Sequence, residues 1–198
     1  MSGPAIAEDG EATMRLTLIG YRGCGKSTVA ALLVPRLGIP AVDADEVVEQ
    51  RAGTSIAALI AGRGEPAFRD LEAVVLADLL AGPPVVLATG GGVVLRQANR
   101  ELLRARGRPV VWLDAAADVV RKRLVADPMT SVRRPGLSGA DPLAEVADTL
   151  AAREPHYRSC ADVRFDTGAE PAGRIAERIV EWLATWDRSV TASPEHVR

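Results

Sequence analysis

The segment Gly20-Tyr21-Arg22-Gly23-Cys24-Gly25-Lys26-Ser27 constrains this chain more than any other. It matches G-x-x-x-x-G-K-[ST], a pattern whose meaning depends on the elements around it. Before it, Leu16-Thr17-Leu18-Ile19 is short and mostly apolar, as a buried strand is; after it, Val29, Leu32, Leu33 and Leu37 stand at helical spacing between Lys26 and Leu37. Strand, glycine-rich loop and helix together make a cradle for phosphate groups. The glycines let backbone N–H groups turn inward, and the helix N-terminus adds the positive end of its dipole. Lys26 is expected to reach the β- and γ-phosphates of a nucleotide and Ser27 to ligate Mg²⁺. Cys24 is expected to fill space in the loop, although a helix N-terminus can lower a thiol pKa. The plainer alternative, a turn with a solvated lysine, sits less well with the strand and helix on either side.

The remainder of the chain repeats the strand–helix alternation. Strand candidates fall at 40–42, 85–88, 110–113 and 163–165, with helical stretches around 45–60, 65–80, 96–106, 115–125 and 142–154. This alternation predicts an α/β fold with a parallel sheet covered on both faces. Trp182 and Trp186 in the last helix share a stripe with Ile175 and Ile179, which reads as core packing. Ala126 to Asp141 is rich in Pro, Gly, Ser and Arg and exceeds the usual connection of about 2–6 residues, so it reads as a lid. The expected organisation is a flexible leader over 1–13, a single domain over 14–186 and a fraying tail over 187–198, in which His196 is inert.

Composition removes several classes of function. A net charge of -2 and a pI near 5.8 supply no basic field, so nucleic acid is not an expected partner. Apolar runs such as Val85 to Ala88 fall far short of the ~20 residues that cross a bilayer. Glu8, Asp9 and Glu11 near the start, without a basic end or a long apolar run, do not read as a signal peptide. The two cysteines, Cys24 and Cys160, read as free thiols of a reducing cytoplasm.

A phosphate loop alone leaves ATPases, GTPases and kinases open, and the choice rests on what else meets the γ-phosphate. Val42-Asp43-Ala44-Asp45 closes the second strand, where residues i and i+2 point the same way. Both carboxylates then face the loop, one for the metal shell and one for the acceptor; equally, Asp43 caps the next helix in a box with Glu46. Arg69 stands four residues after Glu65, and a surface ion pair is the default explanation. Thr89-Gly90-Gly91-Gly92 follows an apolar strand, and three successive glycines suggest a backbone that something approaches closely. Arg133-Arg134-Pro135 lies in the expected lid and Arg153 in Arg153-Glu154-Pro155-His156-Tyr157; solvated cations are the default for all three arginines.

In order and spacing, Gly20 to Thr28, Asp43-Ala44-Asp45, Phe68-Arg69, Gly90-Gly91-Gly92, Arg134-Pro135 and Arg153 to Tyr157 resemble the shikimate kinases, over about residues 15–186. The resemblance implies a five-stranded parallel sheet of the nucleoside-monophosphate-kinase kind with a lid insertion, and ATP and shikimate as the small-molecule substrates of a monomer. It implies that Gly23, Cys24, Gly25, Lys26, Ser27 and Thr28 hold ATP, with Ser27 and Asp43 serving Mg²⁺. Asp45 would hydrogen-bond the acceptor hydroxyl and serve as base; Arg69 and Arg153 would grip the acceptor carboxylate beside Gly91 and Gly92. Arg134 would close from the lid onto the phosphates, and Arg123 would pack against adenine. Two features depart from the family pattern: Pro135 is followed by Gly136 and Leu137 in place of two leucines, and Arg133 stands beside Arg134. A gluconate or nucleotide kinase, and a kinase-like sensor without turnover, are the competing functions.

Overall fold

A computed structural model of the chain describes residues 15–126 and 146–186. The expected leader, the tail with His196, and the lid segment with Arg133 and Arg134 lie outside these residues. Five strands, β1 (Leu16–Ile19), β2 (Ala41–Asp43), β3 (Val86–Ala88), β4 (Val110–Asp114) and β5 (Val163–Asp166), pair in parallel in the order β2-β3-β1-β4-β5. The helices are α1 (Lys26–Leu37), α2 (Ala44–Ala52), α3 (Ile56–Ala81), α4 (Gln97–Arg106), α5 (Ala117–Ala126), α6 (Val146–Cys160) and α7 (Ala172–Leu183), with a 3₁₀ turn at Val93–Leu95. No described helix is long and apolar enough to cross a membrane.

The period of two along each strand sorts side chains into the two outer layers. Leu16, Leu18, Val86, Ala88, Val111 and Leu113 pack on one face with residues of α1, α5 and α7. Ile19, Leu87, Val110 and Trp112 pack on the other with residues of α3, α4 and α6. Strands β1, β3 and β4 are buried on both faces and read as mostly apolar runs, which makes them legible in the sequence. Because successive crossovers run to opposite sides of β1, the order reverses there, and the crevice at the carboxyl ends of the strands opens beside its C-terminus.

Helix boundaries differ from the sequence expectation in four places. The single helix expected over 45–60 is two, because α2 stops at Gly53 (φ 65) and α3 starts anew behind Ser55, whose hydroxyl accepts from Ala58 N–H. The later part of α3 joins the stretch expected over 65–80, with a break at Gly64 (φ 82, ψ 159) just before Pro66. Helix α6, expected to end near 154, runs on through Pro155 to Cys160. Helix α7 ends at Leu183, so Trp182 packs against the core from inside it, while Trp186 lies beyond and meets the Trp182 ring at 4.9 Å.

Thr17 is the polar exception in β1. It is fully buried, and its hydroxyl donates to the Gly107 carbonyl, at the C-terminal cap of α4, across 2.7 Å. A Thr17→Val substitution keeps the volume and leaves that carbonyl without its hydroxyl donor. We expect a loss of about 1–2 kcal/mol in urea unfolding, with Thr17→Ser recovering part of it; equal stability of the Val variant would show that the bond contributes nothing net.

Candidate active site

A cleft of about 490 Å³ opens over the loop between β1 and α1 and is lined by that loop, Asp43, Asp45, Glu49, Thr89, Gly91 and Arg123, among others. The loop holds its shape by its own bonds. Gly20, Gly23 and Gly25 all take positive φ, and the Lys26 ammonium donates to the carbonyls of Gly20 (2.8 Å) and Tyr21 (2.9 Å). These are neutral acceptors, whereas phosphate oxygens offer the stronger charge-assisted bond. Ser27 and Thr28 are exposed at the helix start. Cys24 is fully buried among core residues, and burial raises its thiol pKa, so proximity to the helix N-terminus does not activate it.

Asp43 both caps α2 and faces the loop. Its Oδ1 accepts from Asp45 N–H at 3.0 Å and caps α2, while its Oδ2 accepts from the Ser27 hydroxyl at 2.7 Å. One correction concerns Asp45. Asp43 ends β2, so Asp45 lies in the first turn of α2 and not in an extended segment; the turn, not strand alternation, brings it to the cleft.

The glycine segment after β3 answers its sequence signal with protein contacts. A Cβ at Gly91 would sit 2.9 Å from Arg22 N, and one at Gly92 would sit 2.3 Å from Arg69 Nη1. Gly91 therefore backs onto the phosphate loop and Gly92 carries a guanidinium. That guanidinium is 8% exposed, so the surface ion pair expected with Glu65 is the outer part of a largely buried cluster. Arg69 donates from Nε and Nη2 to Glu65 Oε1, at 3.2 and 2.9 Å, and from Nη1 to Glu72 Oε2 at 2.8 Å. Burial lowers the Arg69 pKa, but the two carboxylates outweigh it and hold the group firmly charged.

Arg153 reaches the same segment from α6. Its Nη1 donates to the Gly91 carbonyl at 3.1 Å, which also accepts the buried Tyr157 hydroxyl at 2.6 Å. Burial raises the Tyr157 pKa, so the phenol stays a donor. Arg123 donates from Nη1 to Gly23 O (3.3 Å) and to the Thr167 hydroxyl (3.0 Å), and from Nη2 to Thr167 O (2.5 Å), tying the loop to the end of β5.

The described fold thus gathers Gly23, Cys24, Gly25, Lys26, Ser27, Thr28, Asp43, Asp45, Gly91 and Arg123 on one cleft, with Gly92 and Arg69 adjoining the segment that lines it and Arg153 bonded to Gly91. Sequence reasoning passed over Glu49, Thr167 and the part played by Tyr157. The i, i+4 spacing of Arg153 and Tyr157 on one helix was a usable sign. Thr167 gave none, because a threonine after a strand is ordinary until the sheet order sets it beside the loop.

The shikimate kinase family model matches residues 22–184. A shikimate kinase of Rhodopirellula baltica is 44% identical over 166 residues, covering 84% of this chain and 88% of its own. One of Symbiobacterium thermophilum is 44% identical over 170 residues, covering 86% and 96%. The structure of the Acinetobacter baumannii shikimate kinase in complex with shikimate superposes with a TM-score of 0.81 at 32% identity, covering 88% of this chain and 95% of the other. With the phosphate loop, the acidic pair and the arginine-flanked glycine segment in the family's order, the chain belongs to the shikimate kinase family.

Proposed function

We propose that this chain transfers the γ-phosphate of ATP to the 3-hydroxyl of shikimate, giving shikimate 3-phosphate and ADP, a step toward chorismate and the aromatic amino acids. The observation that carries the reading is the pair of arginines, Arg69 and Arg153, meeting one glycine segment that itself abuts the phosphate loop. An acceptor carboxylate held there fixes the substrate's orientation by charge-assisted, geometrically matched bonds. Its hydroxyl end is then directed to the cleft, where Asp45 hydrogen-bonds it and takes its proton.

On the donor side, Gly23 to Thr28 cradle the phosphates and Lys26 exchanges its loop carbonyls for phosphate oxygens. Arg123 flanks the nucleotide from the β5 side. Arg134, outside the described residues, is assigned to the transferring phosphoryl group. The donor set at Ser27 and Asp43 fits Mg²⁺: two hard oxygens 2.7 Å apart on the cleft, few enough that the ion keeps waters and takes the rest from phosphates. When bound, the ion neutralises charge developing on the phosphate oxygens. Asp43 and Ser27 would hold it, and Asp43 keeps its second oxygen for the α2 cap. We place the enzyme in the cytoplasm as a monomer, where Cys24 and Cys160 persist as the free thiols they are.

Three outcomes check the assignments. Lys26→Ala should abolish turnover in a coupled assay with ATP, Mg²⁺ and shikimate while the far-UV spectrum stays unchanged, since electrostatic stabilisation supplies most of the catalysis in such reactions; wild-type-like turnover removes Lys26 from the mechanism. Asp45→Asn should lower kcat by roughly 10²–10⁴ if the carboxylate is the base, and by less if it only orients the hydroxyl. Arg69→Ala and Arg153→Ala should each raise the KM for shikimate with little change in the KM for ATP, because that contact exists in ground and transition states alike. The decisive comparison is shikimate against its analogue with the carboxylate reduced to an alcohol. The wild type should strongly prefer shikimate and each arginine variant should lose much of that preference. Equal use of both acceptors by the wild type would overturn the choice of substrate.

A further inference from the structure

Tyr21 occupies the second position of the phosphate loop, where the motif asks for no particular side chain. In this chain it is an aromatic ring that is only 5% exposed. Its backbone faces the phosphate side, since its carbonyl accepts from the Lys26 ammonium at 2.9 Å and from Cys24 N–H at 3.2 Å. Its ring faces the other side: the Arg153 guanidinium carbon stands 5.5 Å from the ring centroid, and that of Arg22 stands 5.8 Å from it. A guanidinium within about 6 Å of an aromatic centroid is attracted by the ring's negative face, more strongly as water is excluded.

Arg153 is half-buried; besides the ring it meets the Gly91 carbonyl at 3.1 Å and the Tyr157 hydroxyl, which shares that carbonyl. Both polar contacts meet at the Gly91 carbonyl, and a ring beside the guanidinium restricts its rotation about that point. An arginine that must meet a carboxylate in a fixed plane gains from this restriction, because the rotamer entropy is removed before the ligand arrives. We infer that Tyr21 is a positioning residue for Arg153: its ring holds the guanidinium in the orientation that receives the acceptor's carboxylate, and so joins acceptor recognition to the loop that grips the phosphates. The inference rests on the proposed role of Arg153 as a carboxylate ligand.

The test separates ring electrostatics from packing. Tyr21→Phe keeps the ring and should keep the wild-type KM for shikimate. Tyr21→Leu should raise that KM about tenfold, the size a partly desolvated cation–π contact supports, with kcat and the KM for ATP within about twofold. Should the leucine variant fold poorly, replacing Tyr21 by phenylalanines of increasing ring fluorination keeps the bulk and weakens the ring's negative face. The KM for shikimate should then climb with each fluorine, and the climb should vanish in an Arg153→Ala background. A flat response across the fluorinated series, or the same climb without Arg153, overturns the inference. Arg153→Ala alone tells the two levels apart. If it raises the KM for shikimate and fluorination does not, only the role of Tyr21 falls; if it leaves that KM unchanged, the carboxylate clamp itself falls.

Discussion

The Lys26 ammonium closes the loop that carries it. Until phosphate oxygens take their place, the carbonyls of Gly20 and Tyr21 accept from it, and a chain of glycines, each costly to order, is held as a ring at the exit of β1. The rest of the cleft is referenced to that ring. Ser27, next in sequence, takes the side chain that ends β2, and Arg123 and Thr167 secure Gly23 and Cys24 from the far edge of the sheet. Such bracing suits a reaction in which the protein does little covalent chemistry and acts by position and charge.

The second reference surface is the glycine segment after β3. It is thin because it must be: the loop backbone lies against one residue and a guanidinium against the next, and any side chain would occupy space those groups already fill. The Gly91 carbonyl faces α6, where Tyr157 and Arg153 share it. On the proposed assignment, this segment stands between the donor and acceptor sides of the cleft.

The fold was legible because two-sided burial writes itself as apolar runs in the strands, and the motif between β1 and α1 carries its own local geometry. Most of the cleft was legible for the same reason, since Lys26, Ser27 and Asp43 lie within or at the end of such elements. What escaped depended on distant parts of the chain. Arg69 read as a surface ion pair because Glu72 and Gly92, which bury it, are brought there by tertiary packing. For Asp45 the sequence left an extended segment and a helix behind an Asp43 cap equally open, and the choice fell to the cap, which starts α2 at Ala44. The break between α2 and α3 was passed over because apolar periodicity continues across Gly53 to Ser55 even though the backbone does not.

The proposed role of Arg69 asks that a buried cation be held charged and yet open to a third carboxylate. Two acidic side chains already face it, but they differ in kind. Glu72 has a side chain only 3% exposed, so separating it from the guanidinium would strand a charge out of water at large cost. Glu65 is 39% exposed, and a pair open to solvent on one side is screened and worth little net, typically about 0–1 kcal/mol. Both Nε and Nη2 of the guanidinium point to Glu65, the edge that suits a two-point carboxylate contact. On the proposed assignment, a ligand carboxylate would compete with the weaker partner for the better edge, while the stronger partner keeps Arg69 charged and in place over Gly92. On that assignment the buried pair would supply the positioning and the exposed pair the exchange, from two glutamates seven residues apart on one kinked helix.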